Sequence, residues 1–291
     1  MKNNISIIIP AKNESEGLRR ILPALCKLYP DDEIIVVDDG STDDTVKVCE
    51  SFPVKIVSHN YSKGNGASIK SGARAATGDI FVFMDADGQH VPDEIQKLLD
   101  ELAKGYDMAV GARTMDLHAS FARGIANSFY NWFATWVSGH KVQDLTSGFR
   151  AVRSDKFKQF LYLLPNGFSY PTTITMALFR AGYSITYVPV NVMERIGKSH
   201  IRPFVDGLRF LLIIFRIGTL YSPLKIFAPA SLLFFIAGAG YYVYTYYTLG
   251  RFTNMGTLLF IISILVFLIG LVSEQLTMLL YSNSQDGRNQ Q

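Results

Sequence analysis

The sequence predicts an α/β domain built on a mostly parallel sheet, followed by a two-helix membrane hairpin. Three observations predict it. Over the first ~110 residues, short apolar runs alternate with segments whose apolar residues recur at helical spacing, the pattern of strands joined by covering helices. Carboxylates gather where several of these runs stop, most visibly at Asp85-Ala86-Asp87 after residues 80–84. Farther on, residues 226–249 and 252–273 form uncharged runs of 24 and 22 residues. Each is long enough to cross a bilayer, which needs roughly 20 apolar residues.

Taken in order, residues 5–9 form the first strand. Leu18, Ile21, Leu22, Leu25 and Leu28 then mark a helix, with Asn13 or Ser15 as its N-cap. Residues 33–37 form a second strand ending at Asp38-Asp39-Gly40-Ser41, and a helix follows from Thr42 or Asp43. A short strand at 55–57 leads to a small-residue helix at 66–76, entered through a flexible loop, Lys63-Gly64-Asn65-Gly66. The all-apolar run at 80–84 reads as a strand buried on both faces. A helix beginning near Pro92 presents Ile95, Leu98, Leu99 and Leu102, and 108–110 is another strand. An aromatic-rich helix with Phe129, Tyr130, Trp132, Phe133 and Trp136 precedes a turn-rich segment at 143–148. Within 205–220, Asp206, Arg209 and Arg216 fall within roughly 80° of one another at 100° per residue, the charged stripe of a helix lying on a membrane surface. The polar tail at 282–291 reads as disordered.

Within 291 residues, the predicted layout is an α/β domain at 1–200, a juxtamembrane amphipathic region at 201–224, two spans within 225–281 and the tail at 282–291. A net charge of +3 gives no argument for nucleic acid. Arg202, Arg209, Arg216 and Lys225 precede the first span, whereas the connector carries Arg251 alone, so the large N-terminal part is expected on the cytoplasmic side. Residues 5–10 are too short an apolar run for a secretory signal. Cys26 and Cys49 lack metal-ligand spacing and are assigned to helix packing in a reducing compartment.

Three polar clusters follow successive strands: Pro10 to Glu14, Asp38 to Ser41, and Asp85 to Gln89. Strand ends on one edge of a parallel sheet converge, so the three line one pocket. Asp39 suits hydrogen bonds from ribose hydroxyls or a base N–H. The Asp85/Asp87 pair suits Mg²⁺ or Mn²⁺, which take oxygen ligands, although Asp and Gly are also turn residues. His90 is expected to cap the helix that follows. No G-x-G-x-x-G follows the first strand and no G-x-x-x-x-G-K-[ST] occurs, which disfavours dinucleotide and P-loop chemistry.

Pro10-x-x-Asn13-Glu14, the run Val36 to Ser41 with Asp43, Gly78-Asp79, Asp85-Ala86-Asp87 and Thr146-Ser147-Gly148-Phe149-Arg150 occur in that order. Together they resemble the inverting family-2 glycosyltransferases of GT-A fold, and within them the polyprenyl-phosphate branch that includes the dolichol-phosphate mannose synthases. The resemblance covers residues 3–205 and accommodates the paired spans. It implies a Rossmann-like GT-A domain that transfers a hexose from a nucleotide-diphosphate sugar, of GDP-mannose or UDP-glucose type, to a polyprenyl phosphate at the cytoplasmic membrane face. By the same resemblance, Pro10, Asn13, Glu14 and Asp39 hold the nucleoside, and Asp85, Asp87 and Gln89 form the metal set. Asp144 is the acidic residue near the acceptor, and Arg113 and Arg123 meet the acceptor phosphate. Arg195 and Lys198 belong to a mobile loop closing over the diphosphate, where His200 stands in place of a lysine common among relatives. A homo-oligomer is left open. Competing readings are a lipid-hydroxyl glycosyltransferase and a non-catalytic nucleotide-sugar-binding scaffold. A processive polysaccharide synthase is disfavoured because neither Gln143 nor Gln159 opens a Q-x-x-R-W element.

Overall fold

The computed structural model describes residues 4–113, 121–167, 169–193, 215, 218, 219 and 221–286. The chain divides into two compact units, Met1–Arg209 and Phe210–Gln291.

The first unit holds a seven-stranded sheet in the order β3-β2-β1-β4-β6-β5-β7. Its strands are β1 (Ile5–Ala11), β2 (Glu33–Asp38), β3 (Lys55–Ser58), β4 (Ile80–Phe83), β5 (Met108–Arg113), β6 (Arg150–Arg153) and β7 (Ile185–Val190). β6 is antiparallel to both neighbours and every other pairing is parallel. Ile7, Ile8 and Ile9 of β1, Val36 and Val37 of β2 and Phe81 to Phe83 of β4 are fully buried, which is why these strands read as unbroken apolar runs. Edge strand β3 is shorter and carries an exposed Lys55, a common guard against edge pairing.

Helices α1 (Ser15–Leu28), α2 (Thr45–Glu50), α3 (Asn65–Ala75) and α4 (Ile95–Ala103) cover the sheet; a single 3-10 turn at Pro92–Glu94 precedes α4. Leu18, Ile21, Leu22 and Leu25 of α1 are buried as the helical spacing requires. The predicted caps are corrected. Glu14 occupies the N-cap of α1 with no side-chain cap bond. Asn13 instead takes a left-handed φ of 54°. α2 starts later than expected because Asp43 Oδ1 accepts the Thr45 N–H at 3.0 Å, spending the preceding residues on a turn. Helices α5 (Phe121–Ser138), α6 (Ser154–Lys158) and α7 (Tyr170–Arg180) complete this unit.

The second unit pairs α8 (Pro223–Leu249) with α9 (Asn254–Asp286). Both are long and apolar enough to cross a membrane. The Ser231 hydroxyl donates to the Ser263 carbonyl at 2.8 Å and the Ser263 hydroxyl returns the bond at 2.9 Å. In a span, such reciprocal bonds join helices that hydrophobicity alone does not hold together. α9 continues through Asp286, so the tail expected to be disordered from Ser282 is helical over its first residues; propagation beyond an apolar segment needs only one backbone bond per residue. The predicted surface helix at 205–220 lies outside the described residues except at 215, 218 and 219.

Candidate active site

From β1 the chain winds outward through β2 to β3, then crosses back to β4 on the other side of β1. The β1/β4 gap is therefore the point where strand order reverses, and a crevice opens beyond the carboxyl ends there. A cleft of about 400 Å³ occupies it, lined by Pro10, Ala11, Lys12 and Glu14 after β1, Asp39 after β2, Ser62, Gly64, Asn65 and Ser68 around the start of α3, and Asp85, Ala86 and Asp87 after β4. Five predicted residues meet here: Pro10, Glu14, Asp39, Asp85 and Asp87. Asn13 does not line the cleft. Its N–H donates to Ser41 Oγ at 2.9 Å and its Oδ1 accepts the Thr42 N–H at 2.8 Å, bracing the first two strand-end loops.

Asp39 is held on all sides. Oδ1 accepts the Lys63 N–H at 2.8 Å and lies 2.7 Å from His59 Nδ1; Oδ2 accepts the Ser62 hydroxyl at 2.7 Å and the Gly64 N–H at 2.9 Å. His59 Nε2 lies 2.9 Å from Ser71 Oγ on α3. These contacts occupy the roughly four acceptor positions of a carboxylate. The segment 62–64 is thus a clasp around Asp39, not the flexible entry expected. Burial pushes the Asp39 carboxyl up, but the bonds from His59, Lys63, Ser62 and Gly64 outweigh it and hold the group at about 2. A depressed folded-state value contributes stability above the unfolded value near 4, lost as pH falls through about 2. Melting temperatures of wild type should therefore fall more steeply between pH 4 and 2 than those of Asp39→Asn; parallel curves would refute the clasp's electrostatic contribution.

On the other wall, the Asp85 side chain is 38 % exposed and Asp87 Oδ1 accepts the Gln89 N–H at 3.1 Å. Among the described residues no group of three or more His, Cys, Asp or Glu side chains is set to hold a metal. Two carboxylates on an open cleft are oxygen donors of the kind a hard divalent ion takes. Gln89 is not among the cleft-lining residues; its carbonyl accepts the Met193 N–H at 2.8 Å. The expected cap role of His90 is corrected: Val91 and Glu94 occupy the N-cap positions that follow. His90 is buried, stacks on Phe149 at 4.7 Å between ring centroids and places Nε2 3.9 Å from Asp85 Oδ2.

Two glycines seat the turn after β4, and sequence reasoning missed both roles. A Cβ on Gly17 of α1 would lie 2.0 Å from the Ala86 carbonyl oxygen, so α1 packs directly on the backbone of Ala86 and Asp87. A Cβ on Gly148 would lie 2.6 Å from Asp85 Oδ2. Gly148 approaches because Phe83 pairs with Arg150 in antiparallel register, bringing the segment before β6 to the carboxyl end of β4. Asp144 lies in that segment, and its Oδ1 accepts the Thr146 and Ser147 N–H groups at 3.1 Å each. Asn131 of α5 grips both sides, donating to the Gln143 carbonyl and accepting the Leu145 N–H at 3.1 Å. Asp144 is thus fixed beside the cleft without lining it. β5 runs parallel to β4, so Arg113 ends at the same sheet edge. The side chains of Arg113 and Arg123, and all of Arg195, Lys198 and His200, lie outside the described residues.

Residues 6–161 match the profile described as Glycosyl transferase family 2. The chain belongs to that family. Residues 222–279 also match the GtrB C-terminal hairpin. This family-2 glycosyltransferase is 30 % identical to a polyprenol monophosphomannose synthase of Mycolicibacterium smegmatis over 204 residues, 65 % of this chain and 77 % of that protein. It is 28 % identical to an undecaprenyl-phosphate mannosyltransferase of Micrococcus luteus, covering 69 % of this chain and 88 % of that one. In fold it is similar to glucosyl-3-phosphoglycerate synthase of Mycobacterium tuberculosis crystallised with Mg²⁺ and UDP, with a TM-score of 0.60, 21 % identity and coverage of 74 % and 79 % of the two chains. The sheet is accordingly of the GT-A type, mostly parallel with one reversed strand.

Proposed function

We propose that this protein transfers a hexose from a nucleotide-diphosphate sugar, of GDP-mannose or UDP-glucose type, to a polyprenyl phosphate at the cytoplasmic membrane face, inverting the anomeric carbon with Mg²⁺ or Mn²⁺ bound. The observation that carries this reading is the placement of the clasped Asp39 and the Asp85/Asp87 pair on opposite walls of one cleft at the switch point. The named lipid-phosphate transferases among its relatives and the apolar hairpin support a lipid acceptor.

In this reading Pro10, Glu14 and Asp39 hold the nucleoside end. Because Asp39's acceptor positions are filled by the clasp, it acts mainly by presenting Ser62, Gly64 and Asn65 to the ligand. Asp85 and Asp87 receive the divalent ion, which when bound neutralises charge growing on the leaving nucleoside diphosphate. By the family resemblance, Arg195 and Lys198 close over the diphosphate. Arg113 and Arg123 take the acceptor phosphate, whose oxygens the planar guanidinium fork matches. A phosphate monoester is already an anion near pH 7. Asp144 therefore orients the acceptor or assists, and strong base catalysis is unnecessary.

The test offers the full chain a panel of nucleotide sugars with one polyprenyl phosphate and reads products by mass. One hexose added from one donor, in the β configuration from an α-linked donor and with divalent ion required, is the expected result. Equal transfer to a lipid hydroxyl, or none from any donor, would overturn it.

A further inference from the structure

Arg150 opens β6 and is fully buried. Among the described residues no carboxylate lies at ion-pair distance from it. A cation sealed from water without a paired anion is costly, and core packing alone does not call for one. The two terminal nitrogens of Arg150 are bonded to backbone and hydroxyl oxygens, while Nε is buried without a partner. Nη1 donates to the Pro171 carbonyl at 3.0 Å and to Thr175 Oγ1 at 3.1 Å, both on α7, while Nη2 donates to the Ser147 carbonyl. The Arg150 guanidinium carbon lies 5.8 Å from the centre of the Tyr170 ring, whose hydroxyl donates to the next carbonyl, Gly148, at 3.1 Å.

Two consecutive carbonyls of one turn are therefore held from beneath by buried donors. The same turn carries one carboxylate, Asp144, at its start and meets another, Asp85, at its end. Its N–H groups at 146 and 147 fix Asp144, and Gly148 forms the wall against Asp85. The fields of both carboxylates reach the buried guanidinium. We propose that Arg150 is a positioning residue that locks the 144–148 turn, holding Asp144 and Asp85 in register. The proposal rests on the transfer reading for the roles of those two carboxylates. Lysine cannot substitute, because a point charge on a flexible stem does not reproduce the fork that joins the Ser147 carbonyl to α7.

The test uses full-length Arg150→Lys, Arg150→Met and Tyr170→Phe, with steady-state kinetics, Mn²⁺ affinity by electron paramagnetic resonance and melting temperature. Arg150→Lys should lower kcat roughly 10- to 100-fold, the scale of a displaced catalytic group, with donor KM within about twofold because the Asp39 clasp lies on the opposite wall. Mn²⁺ affinity should weaken about five- to tenfold as Asp85 loses its backing. Arg150→Met should be at least as damaging, and Tyr170→Phe should move kcat and Mn²⁺ affinity in the same direction by about threefold. Wild-type kcat and Mn²⁺ affinity in both Arg150→Lys and Tyr170→Phe would overturn the proposal, as would donor KM rising in step with falling melting temperature. If Arg150→Lys does not fold, Tyr170→Phe decides alone by the same criteria. Absence of transfer by wild type with every donor would refute the transfer reading, and the Mn²⁺ measurement would still judge the lock.

Discussion

Asp87→Asn is expected to lower sugar transfer by roughly 10³-fold, the equivalent of about 4 kcal/mol in the barrier, while leaving the fold intact. Asparagine is isosteric and keeps an oxygen for the Gln89 N–H, so the turn itself should survive. On the proposed reading, what is lost is one of the two anionic oxygen ligands the cleft offers a divalent ion. Asp144→Asn should cost less, about 10- to 100-fold, because an anionic acceptor needs orientation more than deprotonation. Turnover of the two variants at saturating divalent ion separates these expectations. A larger loss from Asp144→Asn would reverse the ranking and make Asp144 a true base.

Gly17→Ala is expected to be strongly damaging. Alanine favours a helix over glycine by about 1 kcal/mol, so propensity alone predicts a gain. Packing predicts the reverse. The added carbon would sit 2.0 Å from the Ala86 carbonyl oxygen and 3.0 Å from the Asp87 carbonyl carbon, and both are backbone atoms that cannot rotate aside. Either α1 lifts from the sheet or the Asp85–Asp87 turn moves. Overpacking of this kind costs about 1–3 kcal/mol, which for a domain of this size lowers the melting temperature by roughly 3–10 °C. A shift of about 1 Å in the turn should cost on the order of 10² in turnover. Glu16→Ala, on the exposed side of the same helix, should change both quantities little. Equal behaviour of the two variants would show that α1 does not seat the Asp85–Asp87 turn.

The legible parts of this chain were those whose cause is local. β1, β2 and β4 are apolar runs because both their faces are covered, and the helices between them carry their buried faces at 3.6-residue spacing. The strand-end clusters could be placed together because parallel strands bring their carboxyl ends to one edge. β6, β7 and α7 escaped. β6 has four residues bounded by two arginines, one fully buried, and α7 buries Thr172, Thr173 and Thr175, β-branched residues of low helix propensity, within its face.

The sequence by itself determined the sheet's parallel core, the apolar hairpin and the three loops that supply the cleft's carboxylates. Tertiary structure alone decided how those carboxylates are held: His59 and the 62–64 clasp on Asp39, Gly17 behind Asp85–Asp87, and Arg150 under the Asp144 turn. Periodicity records only which face of an element is buried. The identity of the partner on that face is set by strand order and register, which join residues such as Gly17 and Ala86 that share no local pattern.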